Sequence, residues 1–179
     1  MKVRKFSQLM KNKIALLSPL IVCAALQAAE KSIPNRLIDY PGYLQIAQKA
    51  QVPRERRRVT EEEFLSMAAK PGTVILDARS ESKFKLRHIK GAINLPFTDF
   101  TEATLAKTIP VKDSRVLIYC NNNFLGSPTA FAAKAATASL NISTYVTLTS
   151  YGYTNIYELG PLIDINKTKL TFEGEEVVK

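Results

Sequence analysis

Arg115-Val116-Leu117-Ile118-Tyr119-Cys120-Asn121-Asn122-Asn123-Phe124-Leu125-Gly126-Ser127-Pro128 is the stretch whose reading decides the fold. Val116 to Tyr119 is continuously apolar, the pattern of a strand buried on both faces of a parallel sheet. Cys120 follows at the carboxyl end of that strand, where ligands of open α/β sheets bind. The next residues suit a tight loop, because Asn tolerates left-handed backbone conformations. Ser127 then reads as an N-cap and Pro128 as the first residue of an Ala-rich helix reaching Leu140. Such a loop turns backbone N–H groups inward, and a helix start adds the positive end of its dipole. Together they make a cradle for an anion, and a thiolate held in one is a nucleophile. A lone cysteine at a strand end can equally be an inert buried thiol, so this segment alone leaves both readings open.

Outward from this segment the chain alternates strand and helix. Thr60 and Glu63 form a capping-box pattern ahead of the helical spacing of Phe64, Leu65, Met67 and Ala68. Residues 73–77 read as a short buried strand, 80–87 as a short helix and 92–95 as a second strand ended by Pro96. Residues 101–107 are predicted helical, 144–148 a further strand and 155–159 a last short helix. The expected fold class is α/β: a central parallel sheet of about five strands with helices on both faces.

Four segments of this pattern resemble the rhodanese family. Leu76-Asp77-Ala78-Arg79-Ser80 resembles its Asp-x-Arg strand end. Arg87-His88-Ile89-Lys90-Gly91-Ala92-Ile93-Asn94-Leu95-Pro96 resembles its His-Ile-x-Gly-Ala-x-Asn-hydrophobic-Pro signature. Val116-Leu117-Ile118-Tyr119-Cys120 resembles the strand carrying its active cysteine. Leu148 to Gly160 resembles the family's closing Gly-aromatic turn and helix. The match spans about residues 59–165 in the right order and is specific as a set.

The resemblance implies a rhodanese-like fold and a sulfurtransferase that carries sulfur on Cys120 as a persulfide. The sulfur comes from a small anion such as thiosulfate and passes to a thiol or a protein acceptor. Asn121, Asn122, Asn123, Phe124, Leu125 and Gly126 would then surround the sulfur. Asp77 and Arg79 would pair near the strand end and hold loops, and His88 would pack structurally instead of serving as a base. Three departures from the family pattern stand out: Arg87 replaces the Gly before the His, Lys83 a common acid, and Phe124 and Leu125 a cationic loop residue. The last weakens charge-assisted binding of a dianion. Phosphatases of related fold need an Arg at the position held by Gly126, which argues against phosphate-ester hydrolysis. A catalytically inactive module that binds an anion or a protein partner is the alternative reading.

The net charge of +9 over 179 residues is uneven. Lys2, Arg4, Lys5, Lys11 and Lys13 occupy the first 29 residues with no acid, and the remainder holds 20 basic against 16 acidic residues. The basic excess is therefore largely N-terminal, and nothing else suggests a nucleic-acid partner. Arg54-Glu55-Arg56-Arg57-Arg58 reads as a solvated linker. A positive start, an apolar run over 14–25 and small residues to Ala29 match a secretory signal peptide. Cleavage after Ala25, Ala28 or Ala29 fits, with lipoprotein processing at Cys23 and an uncleaved anchor helix as rivals. The expectation is an exported, periplasmic protein that is free of the membrane once cleaved. Residues 30–58 read as an extension with a short helix over 43–50, wrapping on the domain through Leu37, Ile38, Tyr40, Tyr43 and Leu44. The domain proper is expected over 59–165 and a C-terminal tail over 166–179. One His and one mature Cys cannot make the usual zinc set, and no cofactor is implied.

Overall fold

The computed structural model describes residues 33–177. The expected signal segment, Cys23 included, lies outside the described residues. Residues from Leu37 onward form one compact unit.

Helix α1 (Tyr40–Arg56) is capped by Asp39, whose carboxylate accepts the Gly42 N–H at 2.8 Å. It runs through Pro53 and is longer than the 43–50 helix read from the sequence. Strand β1 (Arg58–Val59) leads to α2 (Glu61–Ala68), where the Thr60–Glu63 capping box forms in full. β2 (Val74–Asp77), α3 (Glu81–Leu86), β4 (Ile93–Asn94) and α4 (Glu102–Thr108) follow near their predicted positions, with a further short strand, β3 (His88–Ile89), that the sequence did not suggest. β5 (Val116–Tyr119) and β6 (Phe124–Leu125) flank a short 3-10 turn over Asn121–Asn123. After a long irregular segment come α5 (Leu140–Ser150), β7 (Ile156–Leu159), β8 (Ile163–Asp164) and β9 (Phe172–Glu173).

The main sheet is parallel with order β1-β7-β5-β2-β4, so β5 is central. Its residues divide between two cores. Leu117 and Tyr119 join Phe64 of α2, while Val116 and Ile118 join Ala50 of α1, Leu105 of α4 and Tyr145 and Leu148 of α5. Helices thus cover both faces, as a sheet with two apolar faces requires.

The last third differs from the sequence reading. Residues 128–140 are not an Ala-rich helix, 144–148 lie in α5 instead of a strand, and β7 (Ile156–Leu159) stands where a helix over 155–159 was expected. Packing outweighs propensity here. The Ala segment presents no large apolar stripe, whereas Tyr145, Val146 and Leu148 bury fully against the sheet. Gly152, in the left-handed region at φ 83°, closes α5 as a C-terminal glycine does.

The extension packs in another way than expected. Leu37, Ile38, Tyr40, Tyr43 and Leu44 are 42–82% exposed. Ala50, Ile46 and Ala47, one helical face further on, meet the core. The basic run is no solvated linker either. Arg54 grips the buried Glu158 of β7 through Nε and Nη2, both at 2.7 Å. Arg57 donates to the Thr154 carbonyl, and Arg58 to that of Gly160 at 3.1 Å. Among the described residues no helix is long and apolar enough to cross a membrane.

Candidate active site

Cys120 is the first residue beyond the central strand, in extended conformation and 1% exposed. Its Sγ lies 3.5 Å from the Ser139 hydroxyl. Ser139 is the N-cap of α5, yet its side chain makes no capping bond and faces the thiol. A helix start therefore does meet the cysteine, but it is that of α5, and Ser127 starts none. The loop after Cys120 runs to Ser139 and is far longer than the sequence suggested, because the intervening residues stay irregular.

The three asparagines secure that loop through their amides. Asn123 Oδ1 accepts the Cys120 N–H at 2.9 Å and Nδ2 of Asn141 at 3.0 Å. Asn123 Nδ2 donates to the carbonyls of Leu159 (2.7 Å) and Pro161 (3.2 Å), bolting the loop to the end of β7. Asn122 pairs with the Lys134 backbone in both directions, at 2.8 and 3.0 Å. Asn121 donates to the Ala132 carbonyl. The segment 129–134 is thereby drawn back over the strand ends.

A cavity of about 360 Å³ opens at this end of the sheet, and Cys120 itself does not line it. Asn121, next to Cys120, and Leu140, next to Ser139, form part of its wall. Ala78 and Arg79 enter from the end of β2, Pro96, Phe97 and Thr98 from beyond β4, and Ala130, Ala132 and Lys134 from the folded-back loop. Of the six residues expected around the sulfur, Asn121 lines this cavity. Phe124 instead packs in an aromatic cluster with Tyr119, Phe131 and Phe172. Leu125 pairs with β8, and Gly126 (φ 94°) turns where a Cβ would stand 2.9 Å from Ile165.

Asp77 and Arg79 form a buried pair behind the cavity, with Nη2 to Oδ2 at 2.5 Å and Nε to Oδ1 at 2.9 Å. The guanidinium also donates to the carbonyls of Ala130 (2.9 Å) and Arg87 (2.8 Å), and lies 4.5 Å from the centre of the Phe131 ring. Tyr119 donates its hydroxyl to Asp77 Oδ2 at 2.5 Å and accepts the Ile89 N–H. Burial, then the Asp77 charge, pushes the Tyr119 phenol well above its ordinary pKa, so it stays a donor. Burial works against the Arg79 charge, but the bonds and charge of Asp77 outweigh it and raise the guanidinium above its ordinary value.

The family model described as "Rhodanese-like domain" matches residues 60–159, more than half of the chain. The chain belongs to the rhodanese-like domain family. A curated relative, thiosulfate sulfurtransferase PspE of Escherichia coli (strain K12), is 28% identical over 95 residues, covering 53% of this chain and 76% of that protein. Among solved structures, the Alr3790 protein from Anabaena sp. aligns at 20% identity with a TM-score of 0.47, covering 66% of this chain and 94% of that one. A structure described as rhodanese with anions, from E. coli, aligns at 21% identity with a TM-score of 0.39, covering 57% and 99%.

Within this rhodanese-like domain His88 stands apart from the cysteine's contacts. Its Nδ1 donates to the Phe84 carbonyl at 2.8 Å, its ring stacks on Phe84, and Nε2 faces Glu173 at 3.8 Å. Sequence reasoning missed Ser139, Asn141 and the cavity residues Phe97 and Lys134. Ser139 was the findable one: it is a Ser ahead of Ile142, Tyr145 and Val146 at helical spacing, with Gly152 at the far end.

Proposed function

We propose that this chain is a sulfurtransferase or persulfide carrier that holds sulfane sulfur on Cys120. The observation that carries the reading is the placement of the cysteine. It ends the central parallel strand, its sulfur meets the Ser139 hydroxyl at the N-cap of α5, and the next residues, Asn121 and Leu140, line a cavity. The positive end of α5 favours a thiolate or persulfide anion at that point, and the tight turn over 121–123 adds backbone dipoles. The kinship with a thiosulfate sulfurtransferase supports the chemistry. In the first half-reaction the Cys120 thiolate attacks the outer sulfur of thiosulfate. An S–S bond forms to the cysteine as the donor's S–S bond breaks, and sulfite leaves with the electron pair. A thiol, cyanide or a protein acceptor then attacks the outer persulfide sulfur and regenerates the thiolate. Asp77, Arg79 and Tyr119 position the loop without touching the reacting atoms. The N-terminal pattern supports export to the periplasm as the setting for this reaction.

Thiocyanate formation from thiosulfate and cyanide tests the proposal. The wild-type chain should turn over, and Cys120→Ser should lower the rate at least a hundredfold while keeping the same thermal unfolding curve. A variant that keeps the wild-type rate would remove Cys120 from the reaction. A binding module without chemistry would show no turnover in either protein.

A further inference from the structure

Cys120 is 1% exposed, and it does not line the cavity at the carboxyl end of the sheet. A cysteine that attacks a donor has to be reached by it, and reactive cysteines are partly exposed. The observed arrangement therefore closes a path that the chemistry needs open. Residues 132–138, Ala-Ala-Lys-Ala-Ala-Thr-Ala, are the segment that closes it. They lead to Ser139, whose hydroxyl meets the thiol. All seven are exposed, so the segment buries no side chain of its own. Among the described residues no backbone–backbone bond joins 132–135 to a strand or helix. The segment is held down by the two asparagines that directly follow the cysteine. Asn121 donates to the Ala132 carbonyl. Asn122 donates to the Lys134 carbonyl at 2.8 Å and accepts the Lys134 N–H at 3.0 Å. The Asn122 bonds lie at the surface, where exchange with water leaves each a small net contribution. The ends of the segment are fixed more firmly. Phe131 is 2% exposed and packs on Phe124 and Arg79, and a 3-10 turn over Ala136–Ala138 runs into α5. A weakly held span between two firm ends opens locally while the rest of the fold stays intact.

We propose, resting on the sulfur-carrier reading above for its purpose, that residues 132–138 are a strap that shuts Cys120 off from solvent and that Asn122 is its latch. Open, the strap admits donor and acceptor to the same sulfur. Closed, it keeps a loaded persulfide away from thiols and oxidants in solution.

Alkylation by iodoacetamide, a small neutral reagent, reads the opening without relying on sulfur transfer. It is followed in the full chain on the Cys120 peptide by mass spectrometry. In the wild type the rate should stay nearly flat at urea concentrations below the unfolding transition, because opening seven residues exposes little surface. Asn122→Ala should raise the rate about tenfold, as loss of two latch bonds implies, and sulfur loading from thiosulfate should rise by the same factor. Arg54→Ala, which weakens the fold away from the strap, should leave the alkylation rate unchanged. A wild-type rate that climbs with urea as steeply as global unfolding overturns the strap, because the thiol is then reached by unfolding. So does an Arg54→Ala rate raised as much as that of Asn122→Ala. A folded Asn122→Ala chain that is alkylated no faster than the wild type, or loaded with sulfur no faster, also overturns it. Faster alkylation of Asn122→Ala with no sulfur loading in either protein leaves the strap standing and overturns the carrier function.

Discussion

At the scale of single residues, the site rests on a buried charge network that holds the cysteine loop from behind. Asp77 is fully buried and its partners are Arg79 and Tyr119. Replacing it with Asn leaves the Arg79 guanidinium buried without its counter-charge, an error that costs roughly 3–5 kcal/mol in comparable pairs. Urea unfolding of Asp77→Asn should show a loss of that order, and sulfur loading should fall because the Ala130 and Phe131 anchors on Arg79 loosen. Tyr119 gives the same network a pH signature. Its phenol titrates above the ordinary value in the folded chain and near 10 in the unfolded one. Its contribution is complete below pH 10. Above that pH the unfolded chain sheds the proton first, so stability falls by up to about 1.4 kcal/mol per pH unit until the folded phenol also ionises. Tyr119→Phe should flatten that alkaline decline in chemical unfolding between pH 9 and 11. An unchanged slope would mean that the phenol is not shifted.

At the scale of elements, α1 is tied to the sheet by charge more than by burial. Ala50 is its fully buried residue, and the Arg54–Glu158 pair joins it to β7. Glu158 is 4% exposed, so Arg54→Ala leaves a buried carboxylate with, among the described residues, the more distant Arg58 at 3.9 Å. The expected loss is about 2 kcal/mol, below the fully buried case because Arg54 itself keeps some contact with water. It should appear in urea unfolding, with faster hydrogen exchange in α1. The elements also show what the sequence could disclose. The parallel strands β2, β4 and β5 and the Thr60–Glu63 box were legible because each is written in local signals: a continuous apolar run, a cap, a breaker such as Pro96. Three misreadings share one cause. The Ala-rich 128–140 segment has high helix propensity but buries only Ala130 and Phe131 at its start, and no apolar stripe runs along the rest. The Thr-rich α5 has low propensity and a face that the sheet needs. The 155–159 stretch carries no local strand signal: β7 is held by pairing with β5 and β1, and its Glu158 meets Arg54 over a hundred residues earlier. Non-local pairing decides all three, and no window of sequence contains it. The candidate site suffered likewise: Cys120 was legible as a strand-end residue, whereas Ser139 reaches it only after a loop whose path is set by asparagine amides.

At the scale of the molecule, the C-terminal residues complete the site from its far side. β9 pairs antiparallel with β3, Leu170 is buried in the core, and Phe172 meets Phe124 and Phe131 edge-on. Glu176 accepts the Ser127 hydroxyl at 2.9 Å, so the loop after Cys120 is braced by the last described residues as well as by β7 and Arg79. The fold thus sets the Cys120 thiol against the start of α5. The central claim is that this thiol carries sulfane sulfur. Intact-mass analysis of the purified chain after thiosulfate, before and after a thiol reductant, reads it directly. The wild type should gain about 32 Da, one sulfur atom, on Cys120, lost on reduction and absent from Cys120→Ser. A wild-type chain that keeps its unmodified mass, or an adduct that survives in Cys120→Ser, would contradict it.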